Sequence, residues 1–234
     1  MYEYRFLIIL PDCVVGAVVP RESGGAVVAA GTKFAFLDFE TRELTTVATV
    51  DQHKPTNRFN DGKCDAVGRF WAGKETLGRG AFNGVDLSNG LTWSPDNNIM
   101  YYIDSLQYSV DAFDFDLSTG TLRNRRQVMA FNPVDGLPDG MCTDTYGKLW
   151  IAMYDGGQVL QVDPNTGTQL RSIKFPVPLT TSCCFGGPNL DILYVTSSRV
   201  GYSPDEIEQK PLSGCMFQVT GLGARGTTAF CYDG

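Results

Sequence analysis

The amino-acid sequence predicts an all-β fold, a β-propeller, and two features carry this prediction: the kind of apolar segment and the spacing of these segments. Short runs rich in β-branched and aromatic residues dominate the chain, and Gly, Asp, Asn or Pro bound them. Five such segments end at residues 30, 72, 103, 152 and 195. Three of the four intervals are 42, 49 and 43 residues, which is typical of a blade of four antiparallel strands.

Smaller features refine this prediction. An Asp-x-x-Thr-Gly turn occurs at 116–120 and again at 163–167, which indicates equivalent hairpins in two copies of one unit. The remaining interval, between residues 72 and 103, is only 31 residues. It is shorter by about one hairpin, so we expect the second blade to be incomplete. A β-sandwich is the alternative, but it does not explain the recurrence.

Length and charge limit the function classes. The chain has 234 residues with a formal net charge of −7, and we expect one domain spanning 1–234. An acidic chain is a poor partner for nucleic acid or an anionic membrane. The acidity favours either a bound cation or simple solubility. The apolar runs are too short for a membrane helix and the start lacks a cationic signal region, so a cytoplasmic protein is expected.

The seven cysteines have irregular spacing and form no CxxC pair. A zinc ribbon or a thioredoxin-type motif is therefore excluded. Several of the cysteines lie in apolar, strand-like runs, as in Cys183-Cys184-Phe185. We expect buried free thiols in a reducing compartment.

Three polar clusters interrupt the strand pattern, at residues 57–63, 86–91 and 137–142. Each precedes one of the repeated apolar segments by about ten residues, which places all three at the same position in successive blades. In a propeller that position faces the central channel, so Asn60, Asn89 and Asp139 are expected to converge. Amide and carboxylate oxygens suit a hard cation such as Ca²⁺ or Mg²⁺. The alternative is that Asn-Asp-Gly, Asn-Gly and Pro-Asp-Gly are ordinary turns.

Other catalytic arrangements have little support. The single histidine, His53, lies in a polar loop, and no GxSxG elbow accompanies it. HExxH, P-loop and GxGxxG patterns are absent from the sequence. We therefore expect His53 to be a surface residue.

Five motifs in order resemble the regucalcin/gluconolactonase family, also called senescence marker protein 30. They are Arg-Phe-Asn-Asp-Gly-Lys at 58–63, Ser-Asn-Gly-Leu at 88–91, Tyr-Tyr-Ile-Asp-Ser at 101–105, Pro-Asp-Gly-Met-Cys at 138–142 and Thr-Ser-Cys-Cys-Phe-Gly-Gly at 181–187. The resemblance runs from about residue 23 to the end of the chain. It implies a six-bladed propeller with one divalent metal ion in the channel, Ca²⁺ or alternatively Zn²⁺, Mg²⁺ or Mn²⁺.

The resemblance also implies an activity, the hydrolysis of sugar lactones by a carboxylic ester hydrolase, together with calcium binding. By motif match, Asn89 and Asp139 correspond to metal ligands, and Arg58 and Asn60 to the residues that bind substrate. Asp139 further resembles the residue that activates water as a general base. The expected partner is a small sugar lactone, and the expected state is a monomer.

The sequence departs from the family pattern in two places. Residues 1–15 are atypical, and the family's Gly-Glu-Gly-Pro or Gly-Glu-Ser-Pro motif, which supplies a further metal ligand, is missing. The hairpin between Trp71 and Asn89 is missing as well, and so is the family's first blade. Compared with the six blades that the resemblance implies, we therefore expect an incomplete propeller of about five blades. Either Asp104, Asp61 or water fills the vacant position in a working lactonase, or the chain is a non-catalytic calcium-binding relative or a truncated isoform.

Overall fold

The computed structural model describes residues 14–54, 57–76 and 87–234. The atypical start of the chain therefore lies outside the described residues, apart from its last two positions. The predicted loss of a hairpin falls on residues 75–86, most of which are also outside.

Seventeen strands form five antiparallel sheets within the described residues. The first sheet contains β1 (Val15–Pro20), β2 (Ala26–Ala30), β3 (Lys33–Leu37) and β4 (Leu44–Thr49), and the second contains β5 (Asn57–Cys64) and β6 (Phe70–Thr76). The third contains β7 (Ser88–Trp93), β8 (Ile99–Asp104), β9 (Ser109–Asp116) and β10 (Thr121–Ala130), and the fourth contains β11 (Leu137–Thr143), β12 (Leu149–Tyr154), β13 (Gln158–Asp163) and β14 (Thr168–Lys174). The fifth contains β15 (Thr180–Gly186), β16 (Ile192–Ser197) and β17 (Met216–Val219).

Helical structure is minor in the described residues. It comprises two 3-10 turns at Ser105–Gln107 and Pro133–Asp135 and one short helix, α1 (Pro204–Gln209). The five apolar segments found in the sequence are the second strands of the five sheets, namely β2, β6, β8, β12 and β16. None of the described helices is long and apolar enough to cross a membrane.

The repeated turn is confirmed as a repeated hairpin. It joins β9 to β10 and β13 to β14, the third and fourth strands of their sheets. Asp116 and Asp163 each accept a backbone hydrogen bond from a glycine four residues later, at 2.7 Å and 2.9 Å. Gly120 and Gly167 have φ values of 72° and 65°, a conformation that costs an L side chain energy and glycine almost none.

Each middle sheet buries both of its faces, and this distinguishes the fold from a sandwich. Along β12, Leu149 and Ile151 pack against the third sheet, whereas Trp150 between them packs against the fifth. A two-layer sandwich buries only one face of each sheet. The fold is therefore propeller-like, as predicted, and the sandwich alternative is wrong.

The first strands of the sheets lie side by side about a common axis. β1 contacts β5, β5 contacts β7, β7 contacts β11, and β11 contacts β15. Burial falls from the inside outward: β12 is almost fully buried, while β14, at the outer edge of the same sheet, is mostly exposed. The inner strands therefore surround a channel, and the cores lie between adjacent sheets.

The C-terminal segment ties distant sheets together at one end of this channel. The backbone N–H of Gly226 donates to Leu190 after β15, at 2.8 Å, and that of Tyr232 donates to Pro20 at the end of β1, at 2.9 Å. The Tyr232 side chain also packs against Phe36, in the apolar cluster that joins the first sheet to the second. Residues 224–233 therefore link the fifth sheet to the first.

A buried aspartate anchors the tight turn between the first two strands in two of the sheets. Asp144 has no exposed surface, and its carboxylate accepts hydrogen bonds from Trp150 Nε1 at 2.9 Å and from Gln161 Nε2 at 3.2 Å. Two backbone amides of its own turn also donate to it at 2.9 Å. Asp65 binds Trp71 Nε1 in the same way at 2.8 Å, so Asp-x-x-Gly-x-x-Trp is a structural repeat of this chain.

Six free cysteines lie in the described residues. Three of them are buried, namely Cys64, Cys142 and Cys183, whereas Cys184 and Cys215 are exposed. The prediction of free thiols is confirmed for these residues. The prediction of burial is wrong for the exposed pair.

We expect Asp144→Ala to lower the free energy of unfolding by about 3 kcal/mol, because it leaves several buried donors without an acceptor. Urea denaturation followed by far-UV circular dichroism measures the loss. The matched control is Asp116→Ala, which removes an aspartate from an exposed turn with its own backbone hydrogen bonds and should cost much less. Equal losses in the two variants would contradict the anchoring role of Asp144.

Candidate functional site

The first strand of every sheet carries a β-bulge at an equivalent point. The pairing with the second strand shifts register at Gly16, Asn60, Asn89–Gly90, Asp139–Gly140 and Thr181. A bulge turns a side chain out of the regular alternation of a strand. Three of the predicted site residues thus occupy equivalent positions on β5, β7 and β11. The interpretation of their motifs as plain turns is wrong, because all three lie within strands.

Glycines next to these side chains bring neighbouring strands together. A Cβ atom placed on Gly90 would lie 2.6 Å from the backbone oxygen of Asp139 and from the backbone nitrogen of Met141. A Cβ atom on Gly140 would lie 2.1 Å from Ser182 Oγ. Both distances are far below van der Waals contact, so only glycine allows β7, β11 and β15 to approach this closely. Asn89 and Asp139 are held on adjacent backbones as a result.

A hydrogen-bond relay fixes Asn89 relative to the strand that carries Asp139. Asn89 Nδ2 donates to Ser105 Oγ at 2.9 Å, and Ser105 Oγ donates to the carbonyl oxygen of Pro138 at 2.6 Å. Asn89 and Ser105 are both buried. Because the amide nitrogen of Asn89 is engaged, its carbonyl oxygen is the atom left for a ligand.

Two carboxylates meet in this region, those of Asp139 and Asp61. Burial raises the pKa of Asp139 well above its ordinary value, and the Asp61 carboxylate raises it further. Burial likewise raises the pKa of Asp61, which Lys63 and the backbone N–H of Gly62 partly offset. Both groups therefore resist ionisation unless a cation compensates them.

Lys63 lies on the same strand as Asp61 and reaches toward β11. Its Nζ donates to the backbone oxygen of Met141 at 2.9 Å. Tyr154, at the end of β12, has a pKa raised by burial and by the Asp139 carboxylate. Sequence reasoning missed Lys63, Tyr154 and Ser105. The period-two spacing from Asp61 could have indicated Lys63, and the Tyr-Tyr-Ile-Asp-Ser motif at 101–105 ends at Ser105, whereas no sequence signal indicated Tyr154.

The residues assigned to substrate binding lie at the start of β5. Asn60 Nδ2 donates to the backbone oxygen of Ser88 at 2.8 Å, which leaves Asn60 Oδ1 as its available polar atom. Arg58 is partly buried, and its Nη1 donates to the carbonyl oxygen of Phe59 at 3.3 Å. The structure thus places Asn60 at the bulge beside β7, and Arg58 two residues before it.

Asp104, one of the two aspartates suggested as a replacement ligand, has a different environment. It is buried at the end of β8, and its Oδ1 accepts a hydrogen bond from the backbone N–H of Leu87 at 3.1 Å. This hydrogen bond therefore fixes the backbone immediately before β7. Asp61 differs because its carboxylate, in addition to burial, raises the pKa of Asp139.

The donor set suits a hard cation. It combines the Asn89 carbonyl oxygen with the carboxylates of Asp61 and Asp139, whose ionisation is opposed by burial and, for Asp139, also by the charge of Asp61. Such a set favours Ca²⁺, Mg²⁺ or Mn²⁺ over softer metals. No group of three or more His, Cys, Asp or Glu side chains suited to a metal occurs among the described residues. Amide oxygens or waters would therefore complete a coordination shell.

Comparison with known proteins decides the family. The sequence model of the SMP-30/Gluconolactonase/LRE-like region matches residues 8–83 and 79–199. The chain belongs to this family. The family resemblance inferred from five sequence motifs is thereby confirmed.

Relatives match over most of their length. Regucalcin of Danio rerio is 46% identical over 240 residues, which cover 94% of this chain and 81% of the relative. A luciferin-regenerating enzyme of known structure is 30% identical with a TM-score of 0.86, covering 95% of this chain and 82% of its own. The calcium-binding regucalcin of Agrobacterium tumefaciens shares the fold with a TM-score of 0.87 at 24% identity, covering 94% of this chain and 80% of its own.

We expect Ser105→Ala to lower the free energy of unfolding by about 1–3 kcal/mol, because Asn89 Nδ2 and the Pro138 oxygen lose their shared partner in a buried site. Thermal and urea unfolding measure this loss. Amide hydrogen exchange in β7 and β11 should also become faster.

The matched control for this variant is Ser118→Ala. It removes a hydroxyl that donates to Asp116 on an exposed turn, so stability and exchange should change little. If Ser105→Ala is as harmless as the control, the relay does not fix Asn89.

Proposed function

We propose that this chain hydrolyses sugar lactones of the aldonolactone type at a divalent cation held in the channel by Asn89 and Asp139. The observation that carries the proposal is the placement of Asp61 and Asp139 on the two strands that flank Asn89, where burial and the Asp61 carboxylate raise the pKa of Asp139. Family membership supports the reaction class, since the matched family includes gluconolactonases. The chain then acts as a carboxylic ester hydrolase.

The cation is proposed to be Ca²⁺, with Mg²⁺, Mn²⁺ or Zn²⁺ as alternatives. When bound, it would polarise the lactone carbonyl as a Lewis acid. Oxygen-only donors make Zn²⁺ the least favoured of the four, because structural and catalytic zinc sites draw mainly on nitrogen and sulfur.

Asp139 is proposed to act as the general base. Its carboxylate accepts a proton from the water that attacks the lactone carbonyl, and it later returns the proton to the ring oxygen that leaves. A base with a raised pKa takes up a proton more readily, and general-base catalysis typically contributes 10²–10⁴-fold. The burial that raises the pKa of Asp139 thus serves this role.

Arg58 and Asn60 are proposed to orient the substrate. Asn60 Oδ1 can accept a hydrogen bond from a sugar hydroxyl because Nδ2 is committed to Ser88. The Arg58 guanidinium supplies donors to hydroxyl or carbonyl oxygens. Holding the ring in one pose lowers the entropic cost of the attack.

Asp61 is proposed to occupy the electrostatic position of the family's additional glutamate. It is the carboxylate that acts on Asp139, whereas Asp104 is engaged with the backbone of Leu87. Asp61 supplies the second negative charge that a divalent cation requires.

The architecture is proposed to be a six-bladed family propeller reduced to about five blades within a single domain. Five sheets with adjoining first strands support this count. The monomeric state and the cytoplasmic location remain predictions.

A second candidate function is calcium binding without catalysis. It is supported by the same donor set, since an amide oxygen and two carboxylates can hold Ca²⁺ whether or not a lactone reacts there. In that case, the chain binds Ca²⁺ but leaves lactones unchanged.

We expect Asp139→Asn to reduce the hydrolysis of gluconolactone by at least about 10²-fold, because the amide cannot accept the proton of water. Acid release followed with a pH indicator at saturating Ca²⁺ or Mn²⁺ measures the rate. The matched control is Asp155→Asn, which makes the same change at an exposed position one residue beyond β12 and should retain the wild-type rate.

Two results decide between the candidate functions. Wild-type hydrolysis that Asp139→Asn removes supports the lactonase. A folded wild-type protein that binds Ca²⁺ but shows no hydrolysis above background contradicts the lactonase and supports calcium binding alone.

We expect Asp61→Asn to weaken Ca²⁺ binding by at least about tenfold, because it removes one of the two negative charges at the site while keeping the shape of the side chain. Isothermal titration calorimetry measures the affinity. Asp104→Asn is the matched control, a buried carboxylate whose Oδ1 hydrogen bond the amide preserves, and its affinity should stay close to wild type. A larger loss in Asp104→Asn would assign the replacement ligand to Asp104 instead.

A further inference from the structure

Two buried thiols face each other across neighbouring inner strands. The Sγ atoms of Cys142 on β11 and Cys183 on β15 lie 4.0 Å apart, although 41 positions separate the residues in sequence. Cys183 Sγ also donates to the backbone oxygen of Trp150 at 3.2 Å. The two sulfur atoms are in contact and unbonded, and they belong to strands that pack side by side.

The two thiols are chemically unequal. Cys142 lines a cavity together with Lys63, whose positive charge favours the thiolate form of Cys142. Cys183 is not among the residues that line this cavity, and its S–H proton is engaged by the Trp150 oxygen. A pair with one accessible sulfur beside a positive charge and one protonated neighbour is the arrangement in which a thiol reacts first and its partner resolves the product.

A cavity gives access to the more reactive sulfur. It has a volume of about 280 Å³, and its lining includes Cys142, Lys63, Cys184 and Phe230. It lies at the end of the channel where the C-terminal segment crosses, away from the bulges that carry Asn89 and Asp139. The volume is ample for a molecule as small as hydrogen peroxide.

We propose that Cys142 and Cys183 form a redox-active dithiol that a peroxide oxidises to a disulfide between β11 and β15. The Cys142 thiolate attacks one peroxide oxygen, the O–O bond breaks, and the sulfur becomes a sulfenic acid while the other oxygen leaves as water after protonation. The Cys183 thiol then attacks the Cys142 sulfur, and the sulfenic oxygen leaves as a second water. Two thiols and one hydrogen peroxide thus yield one disulfide and two waters.

The disulfide would strain the strand that carries Asp139. A disulfide bond is about 2.05 Å long, so the sulfur atoms must approach one another. Strands β11 and β15 cannot move closer together near Asp139, because Gly140 already lies against Ser182. We therefore expect bond formation to displace the Asp139–Gly140 bulge. Any loss of lactonase activity on oxidation would rest on the proposed function as well, so bond formation and amide exchange are the deciding measurements.

The test oxidises the folded full-length chain with hydrogen peroxide, blocks the remaining thiols and maps the cysteines by peptide mass spectrometry. The expected product is a peptide pair joined through Cys142 and Cys183, which dithiothreitol separates again. Cys184→Ser is the matched control at the adjacent exposed residue, and it should form the same disulfide. Cys183→Ser should instead leave Cys142 as a sulfenic acid that a dimedone-type reagent traps.

Three outcomes would overturn the proposal: Cys142 and Cys183 both remain reduced, Cys183 bonds to Cys184, or cross-links form only between molecules. The mapping of the wild-type chain decides this even if Cys183→Ser fails to fold. Hydrogen exchange of the oxidised wild type tests the link to the site. Faster exchange at residues 137–143 supports the link, and unchanged exchange with a formed disulfide contradicts it.

Discussion

The close approach of the inner strands is the constraint on which the rest of the structure depends. β11 lies between β7 and β15, and glycines at 90 and 140 fill the contacts where any Cβ atom would collide with backbone or with Ser182. A bulge accompanies each contact and turns the adjacent polar side chain out of the strand alternation. The same local feature thus narrows the channel and presents Asn89 and Asp139 side by side. The close packing of the strands and the candidate site therefore depend on the same backbone geometry.

The apolar cores between the sheets, and not the inner strands at the candidate site, stabilise the fold. The candidate site can therefore hold carboxylates that are unfavourable by themselves. The cores lie between adjacent sheets, where residues such as Ile103, Leu149 and Val195 are completely buried. Burying each such side chain contributes roughly 1.5–3 kcal/mol. The buried Asp144 and Asp65 satisfy the tryptophan side chains that face these cores. Because the cores supply this stability, the fold can tolerate the Asp61 and Asp139 carboxylates, whose ionisation is opposed by burial.

Strand β11 carries a carboxylate of the candidate cation site near its start and a buried thiol near its end. Asp139 lies at the bulge near the start, and Cys142 lies three residues later, facing Cys183 and the cavity under the C-terminal segment. Lys63 reaches β11 between them, lowers the pKa of both Asp61 and Cys142, and donates to Met141. The candidate cation site and the Cys142–Cys183 pair are therefore connected through a few residues of β11. The tight contacts at Gly90 and Gly140 keep this strand from moving independently of its neighbours.

The sequence by itself determined the all-β class, the repeat of the sheets, the equivalent hairpins at 116–120 and 163–167 and the family. Strand periodicity, turn chemistry and motif order are local, and local patterns can be read from a chain. It also indicated that Asn60, Asn89 and Asp139 occupy equivalent positions, because a repeat imposes equivalence. Only the tertiary structure decided that these motifs are bulged strands and not turns, that Ser105 locks Asn89, that the Asp61 carboxylate acts on Asp139, and that Cys142 meets Cys183. Each of these depends on contacts between strands of different sheets, whose distances and relative orientation no single segment encodes.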